Sequence, residues 1–145
     1  MIALGCDHGG YYLMQEVIAY LEKENIVYQN FGTNSESSCD YAVYAKKVAH
    51  AVANGECEKG ILICGTGIGI SIAANKVKGI RAALCGDCFS AKATREHNDA
   101  NILAMGARVV GVGLALEIVK VFLNTPFSNE ERHIRRISQI EEEKG

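Results

Sequence analysis

"GILICGTGIGISIAANK", residues 60–76, joins an apolar run ending at Cys64 to a turn bearing Gly65, Gly67 and Gly69. A short apolar run closed by glycines reads as a strand buried on both faces, and the glycines as a tight passage into a helix. A strand that leads straight into a helix is the repeating unit of a parallel sheet, whose neighbouring strands are joined by such crossovers.

Working outward, the same alternation recurs. "IALGC" (2–6) reads as a strand, followed by a helix with Leu13, Val17, Ile18 and Leu21 on one face and then by "IVYQNF" (26–31). A helix from about Tyr41 to Asn54 lines up Ala45, Val48, Ala49 and Val52 ahead of the 60–64 strand. Beyond the glycine turn come a short helix, "IRAALC" (80–85), a helix from about Ser90, and "ILAMGARVV" (102–110). Leu114, Ala115, Ile118, Val119, Phe122 and Leu123 then form an amphipathic helix that ends near Pro126. Five strands alternating with helices predict one α/β domain over 1–145. It is a doubly wound, Rossmann-like fold with a five-stranded parallel sheet, helices on both faces and a C-terminal helix.

Composition agrees. With 145 residues and 48% hydrophobic content the chain can bury one core without covalent staples. A formal charge of −2 with 15 Lys and Arg gives no global field for nucleic acid or an acidic membrane, so any anion must be bound locally. No apolar run reaches the length of a membrane span, and "MIALGCDHGG" lacks the features of an export signal, so a cytoplasmic location is expected. The six cysteines, Cys6, Cys39, Cys57, Cys64, Cys85 and Cys88, are accordingly expected to be reduced thiols.

Open parallel sheets bind ligands beyond the carboxyl ends of their strands, near a switch in strand order. Three segments carry chemistry: "CDHGG" after the first strand, "CGTGIG" after the third, and "REHND" ahead of the fifth. In the glycine loop, successive N–H groups can turn toward one point where an anion or a developing oxyanion fits. The loop is no Walker motif, having no Lys-Ser or Lys-Thr at the required place, and G-x-G-x-G is not the dinucleotide spacing. The plain alternative is a tight connection with no ligand. Cys64, just before those donors, is either a buried strand end or a thiol whose pKa is lowered from about 8.5 by the helix start, hence a candidate base.

At the other segments the alternatives are equally concrete. Asp7 and His8 can hold a sugar hydroxyl or phosphate, or Asp7 can simply cap the next helix. His97, with Asn98 beside it, can exchange protons near neutrality, or be an ordinary loop histidine. Arg132 and Arg136, four apart, would share a helix face and grip one phosphate, or form a solvated face balanced by Glu141, Glu142 and Glu143. "CGDC", with Cys85 and Cys88, has redox or zinc spacing, but no second paired motif accompanies it, so no metal site is expected.

Together "GCDHGG", "ILICGTGIGISIAANK", "GIRAAL", "REHND", "GARVVG" and "RH" followed by Arg136 resemble the ribose-5-phosphate isomerase B family, which includes galactose-6-phosphate and allose-6-phosphate isomerases. The resemblance implies an aldose–ketose isomerase without metal or organic cofactor, acting on a phosphorylated sugar. It implies that Cys64 is the proton-transfer base and His97 the ring opener. Thr66 and the N–H groups of Gly65, Gly67, Ile68 and Gly69 would stabilise the enediolate. Asp7, Tyr41, Asn98 and Arg108 would bind the sugar, with His8, Arg132 and Arg136 as the phosphate clamp. Sites in the family are shared between chains, which implies a homodimer or higher homo-oligomer. Members without this cysteine carry glutamate at the position of Ile70, and proline commonly follows the Asp-Tyr pair where this chain has Ala42. Two readings of other kinds stand beside it: a non-catalytic Rossmann-type anion- or nucleotide-binding module, and a thiol–disulfide protein using Cys85 and Cys88.

Overall fold

The computed structural model describes residues 1–142. Five parallel strands form one sheet: β1 (Ile2–Cys6), β2 (Tyr28–Asn30), β3 (Lys59–Cys64), β4 (Ala82–Leu84) and β5 (Ile102–Gly106), in the spatial order β2-β1-β3-β5-β4. The helices are α1 (Tyr11–Lys23), α2 (Tyr41–Ala53), α3 (Ile68–Ala74), α4 (Cys88–Asn98), α5 (Val112–Asn124) and α6 (Glu131–Glu141). The expected doubly wound arrangement with a C-terminal helix is therefore present. Among the described residues no helix is long and apolar enough to cross a membrane.

Alternation along the three inner strands builds two cores. Ile2, Leu4, Ile61, Ile63, Leu103 and Met105 face α1, α4 and α5, where Met14, Val17, Ala91, Ile118 and Phe122 meet them. Ala3, Leu62, Cys64, Ile102 and Ala104 face α2 and α3, against Val48, Ala49, Ile70 and Ala74. Burying each of the larger side chains stabilises the fold by about 1.5–3 kcal/mol. Ile70, where other members of the resembled family carry glutamate, is fully buried in this second layer.

Three expected strands are shorter than their apolar runs. Ile26 N–H is taken by Leu21 O at the end of α1, with Asn25 in the left-handed region, so β2 begins at Tyr28. Ile80 N–H closes a turn onto Val77 O, which delays β4 to Ala82. Beyond Gly106 the chain folds back, with Val109 and Val110 N–H both on Gly106 O, so β5 stops there and residues 107–110 are a turn. The helix expected from Ser90 starts at Cys88, because Asp87 caps it by accepting from Ser90 N–H.

The strand order fixes where a ligand can sit. From β1 the chain moves outward to β2, whereas beyond β3 lie β5 and β4 on the other side, so the switch point falls between the carboxyl ends of β1 and β3. "REHND", by contrast, ends a helix that precedes β5. In this parallel sheet it occupies the amino edge, opposite the corners "CDHGG" and "CGTGIG" with which the sequence reading grouped it.

Candidate active site

Cys64 closes β3 with 4% exposure, its side chain on the face covered by α2 and α3. Its Sγ accepts the Gly67 N–H at 3.1 Å. Gly67 makes this possible, because its φ of +79° bends the chain back over the sulfur before α3 begins. Thr66, exposed, accepts the Ile68 N–H on Oγ1 at 3.2 Å. Two of the loop's four candidate donors are thus taken up inside the loop, and the Gly65 and Gly69 N–H groups have no acceptor among the described residues.

Around this loop the fold gathers four other candidate residues. Asp7 is buried and its Oδ1 accepts Gly10 N–H at 3.1 Å, so it does cap the 3-10 turn His8–Gly10. Gly9 lies against Gly65: a Cβ on Gly9 would sit 3.3 Å from Gly65 N and 3.4 Å from Asp7 Oδ1. His8 Nδ1 accepts the Cys39 N–H at 3.2 Å, which puts the proton of the neutral imidazole on Nε2 as a donor. The Arg108 guanidinium packs over Gly65, its Nη1 3.4 Å from where a Cβ would stand. Tyr41 opens α2 with its ring across Gly69, where a Cβ would come within 2.6 Å of Cζ. Asp7, His8, Tyr41, Cys64, the glycine loop and Arg108 therefore share one edge of the sheet.

The remaining candidates share the other edge. His97 and Asn98 end α4, just before β5 starts at Ile102, whereas Cys64 pairs with Gly106 at the far end of that strand. Four residue rises separate the two edges, roughly 13 Å of strand alone. His97 is exposed and its ring lies 4.5 Å, centroid to centroid, from that of His133 in α6. Arg132, on the same turn, pairs with Glu130 at 3.2 Å. Glu141 is drawn instead to Arg81 at 2.8 Å, so it does not balance the arginine pair of α6, and Glu143 lies outside the described residues. A depression of about 950 Å³ on this edge is lined by Asn75, Lys78, Arg81, Thr94, Asn98 and Glu141, but not by Cys64.

The two C-x-x-C cysteines differ in setting, Cys85 being buried and Cys88 half-buried. Cys85 is buried after β4, and burial followed by the charge of Asp87 pushes its pKa up to about 11. Among the described residues no group of three His, Cys, Asp or Glu side chains could hold a metal ion. His133, Cys39 and Gly9 escaped the sequence reading as site residues. "HGG" and "RH" were visible, but only the fold brings Gly65 against the first and His97 against the second.

Comparison with known proteins shows the family of the chain. Residues 2–140 match the model of the family described as Ribose/Galactose Isomerase. The chain is 50% identical over 139 residues to ribose-5-phosphate isomerase B of Escherichia coli, covering 96% of this chain and 93% of that protein. It is 38% identical over 149 residues to the galactose-6-phosphate isomerase subunit LacB of Clostridium acetobutylicum, covering 100% of this chain and 86% of that protein. The solved structure of Clostridium thermocellum ribose-5-phosphate isomerase B superposes with a TM-score of 0.95 at 53% identity, covering 97% of this chain and 94% of that one.

Proposed function

The chain belongs to the ribose/galactose isomerase family and is an aldose–ketose isomerase, and on that premise we propose that it interconverts ribose 5-phosphate and ribulose 5-phosphate with Cys64 as the proton-transfer base. The observation that carries this reading is the Gly67 N–H on the Cys64 sulfur at 3.1 Å, which puts the sulfur beside a loop whose Gly65 and Gly69 N–H groups have no acceptor among the described residues.

The aldose rests mainly as a furanose, so ring opening comes first. His97 gives a proton to the ring oxygen while solvent water takes the O1 proton, and the C1–ring-oxygen bond breaks to leave the aldehyde. The Cys64 thiolate then takes the proton from C2. The electron pair becomes the C1–C2 double bond and the carbonyl pair moves to O1, where the Gly65 and Gly69 N–H groups and Thr66 donate to the enediolate. One such donor is typically worth about 10²–10³ in rate. Cys64 returns the proton to C1, and passage of the O2 proton to O1 leaves the ketone. Asp7, Tyr41, Asn98 and Arg108 hold sugar hydroxyls, and His8, Arg132 and Arg136 take the phosphate. Only protons move, so neither metal nor organic cofactor has a part, and a charged phosphosugar suits a cytoplasmic location.

This division of labour requires a homodimer at least. Cys64 and His97 lie at opposite edges of one sheet, so one sugar can meet both only where the amino edge of a second copy docks on the carboxyl edge of the first. Exposed Ile68, Leu84, Phe89, Val109 and Val112 at that edge supply the apolar surface for it.

The test is Cys64→Ala assayed on ribose 5-phosphate: turnover should fall by about 10²–10⁴-fold while the sugar phosphate still binds, and near-normal turnover would overturn the reading. Galactose 6-phosphate and allose 6-phosphate in the same assay address the six-carbon alternative that the LacB likeness keeps open.

A further inference from the structure

His133 is buried without an apolar reason. It is the one buried residue of α6, 5% exposed, on a helix whose other described side chains face outward or are half-covered. An imidazole so placed must find polar partners, and its Nδ1 lies 2.9 Å from Ser128 Oγ and 3.3 Å from Glu130 Oε2. Its ring face meets that of His97, with centroids 4.5 Å apart and planes inclined by 39°. The loop that carries Ser128 is itself fastened to α4, since Ser128 N–H donates to the carbonyl of Glu96, the residue before His97. Contacts therefore run in a closed ring from Glu96 through Ser128 and His133 to His97.

Such a ring restrains a side chain that is otherwise open to solvent. His97 is exposed, and an exposed imidazole samples several rotamers unless a neighbour blocks them. Burial, followed by the nearby positive groups His97, Arg132 and Arg136, holds the pKa of His133 below the ordinary histidine value, against the opposing pull of Glu130. A neutral ring at the back of His97 presents a flat surface without repelling a proton that His97 carries. We propose that His133 is a positioning residue for His97, holding its ring by stacking in the orientation that serves proton exchange with the sugar ring. This rests on the reading of His97 as the ring opener.

Two substitutions separate stacking from hydrogen bonding. His133→Phe keeps a flat ring against His97 and loses Nδ1, whereas His133→Ala loses both. His97→Ala is made alongside, and all three are assayed on ribose 5-phosphate well below their melting temperatures. The expected result for His133→Ala is a kcat lowered about 10- to 100-fold, as a small misplacement of a reacting group produces, with KM within about twofold of the parent. His133→Phe should recover most of that loss. Proton–nitrogen NMR of the His97 imidazole gives a readout independent of turnover, and its signals should shift and sharpen toward those of a free side chain in His133→Ala but not in His133→Phe. Unchanged His97 signals in His133→Ala, or a kcat equal to the parent's while His97→Ala is inactive, would overturn the positioning role and leave the ring-opening role standing. Near-normal turnover in His97→Ala would overturn both.

Discussion

The Gly67 N–H reaches back to the Cys64 sulfur at 3.1 Å, across a residue whose φ is +79°. Only glycine adopts that conformation without cost, and a Cβ there would stand 2.5 Å from Leu84 Cδ1 and 2.7 Å from the Met105 carbonyl carbon. The left-handed conformation alone costs an alanine about 1–2 kcal/mol, and the Met105 backbone cannot move as a side chain does. Gly67→Ala should therefore lower the melting temperature by roughly 5–10 °C. Turnover should fall as well at temperatures where the variant is fully folded. Calorimetry together with steady-state kinetics checks both; an unchanged kcat would mean that turnover does not depend on this loop conformation.

Cys64→Ala and His97→Ala should each be inactive alone yet restore one another when co-expressed. If each site takes Cys64 from one chain and His97 from the other, a mixed dimer keeps one intact site of two, and random pairing returns about a quarter of the parent activity. Mixing after separate purification, without subunit exchange, is the control. No recovery in a verified mixed dimer would show that the two residues do not serve one site.

Arg95 should matter to stability beyond its ion pair with Asp99. Only 6% exposed, it donates to Thr125 O at 3.0 Å, to Ala100 O at 2.8 Å and to Asp99 Oδ1 at 2.7 Å. It so fastens the end of α4, which bears His97, to the end of α5 and to the approach to β5. Arg95→Met keeps the stem and leaves two carbonyls without this donor, a loss of about 2–4 kcal/mol in urea unfolding. A loss below about 0.5 kcal/mol would mean that water replaces the guanidinium without penalty.

Alkaline pH should weaken the fold. Burial, then the charge of Asp7, pushes the Cys6 thiol from 9.0 to about 12, and burial pushes Cys85 from 9.0 to about 11. Both pKa values are higher in the folded state, so the folded chain keeps protons that the unfolded chain releases. Stability is full below pH 9 and falls as pH rises toward 11 for Cys85 and 12 for Cys6, by about 1.4 kcal/mol per pH unit for each thiol. Lys59, whose pKa burial lowers, works in the opposite sense, so Cys85→Ala against the parent isolates one thiol. Equal slopes of stability against pH between 9 and 10 in the two proteins would contradict the assignment.

The alternation of strands and helices, the burial of the 60–64 strand on both faces and the glycine turn after Cys64 are legible in the sequence. These are local: apolar spacing, a glycine turn and a helix start are written within a dozen residues. Strand ends were less legible, because Ile26 and Ile80 are apolar enough for a strand but have their N–H groups claimed by a helix end and a turn. "REHND" could have been assigned to the amino edge from its position before a strand, but its chemical likeness to the other corners hid that. That β5 inserts between β3 and β4, that Tyr41 and Arg108 close on the glycine loop, and that His133 lies behind His97 follow from packing and not from any local pattern. Those contacts join segments distant in the chain, and they depend on which strands pair and which faces the helices cover, a choice made by the packing of the whole sheet and not by any one stretch of it.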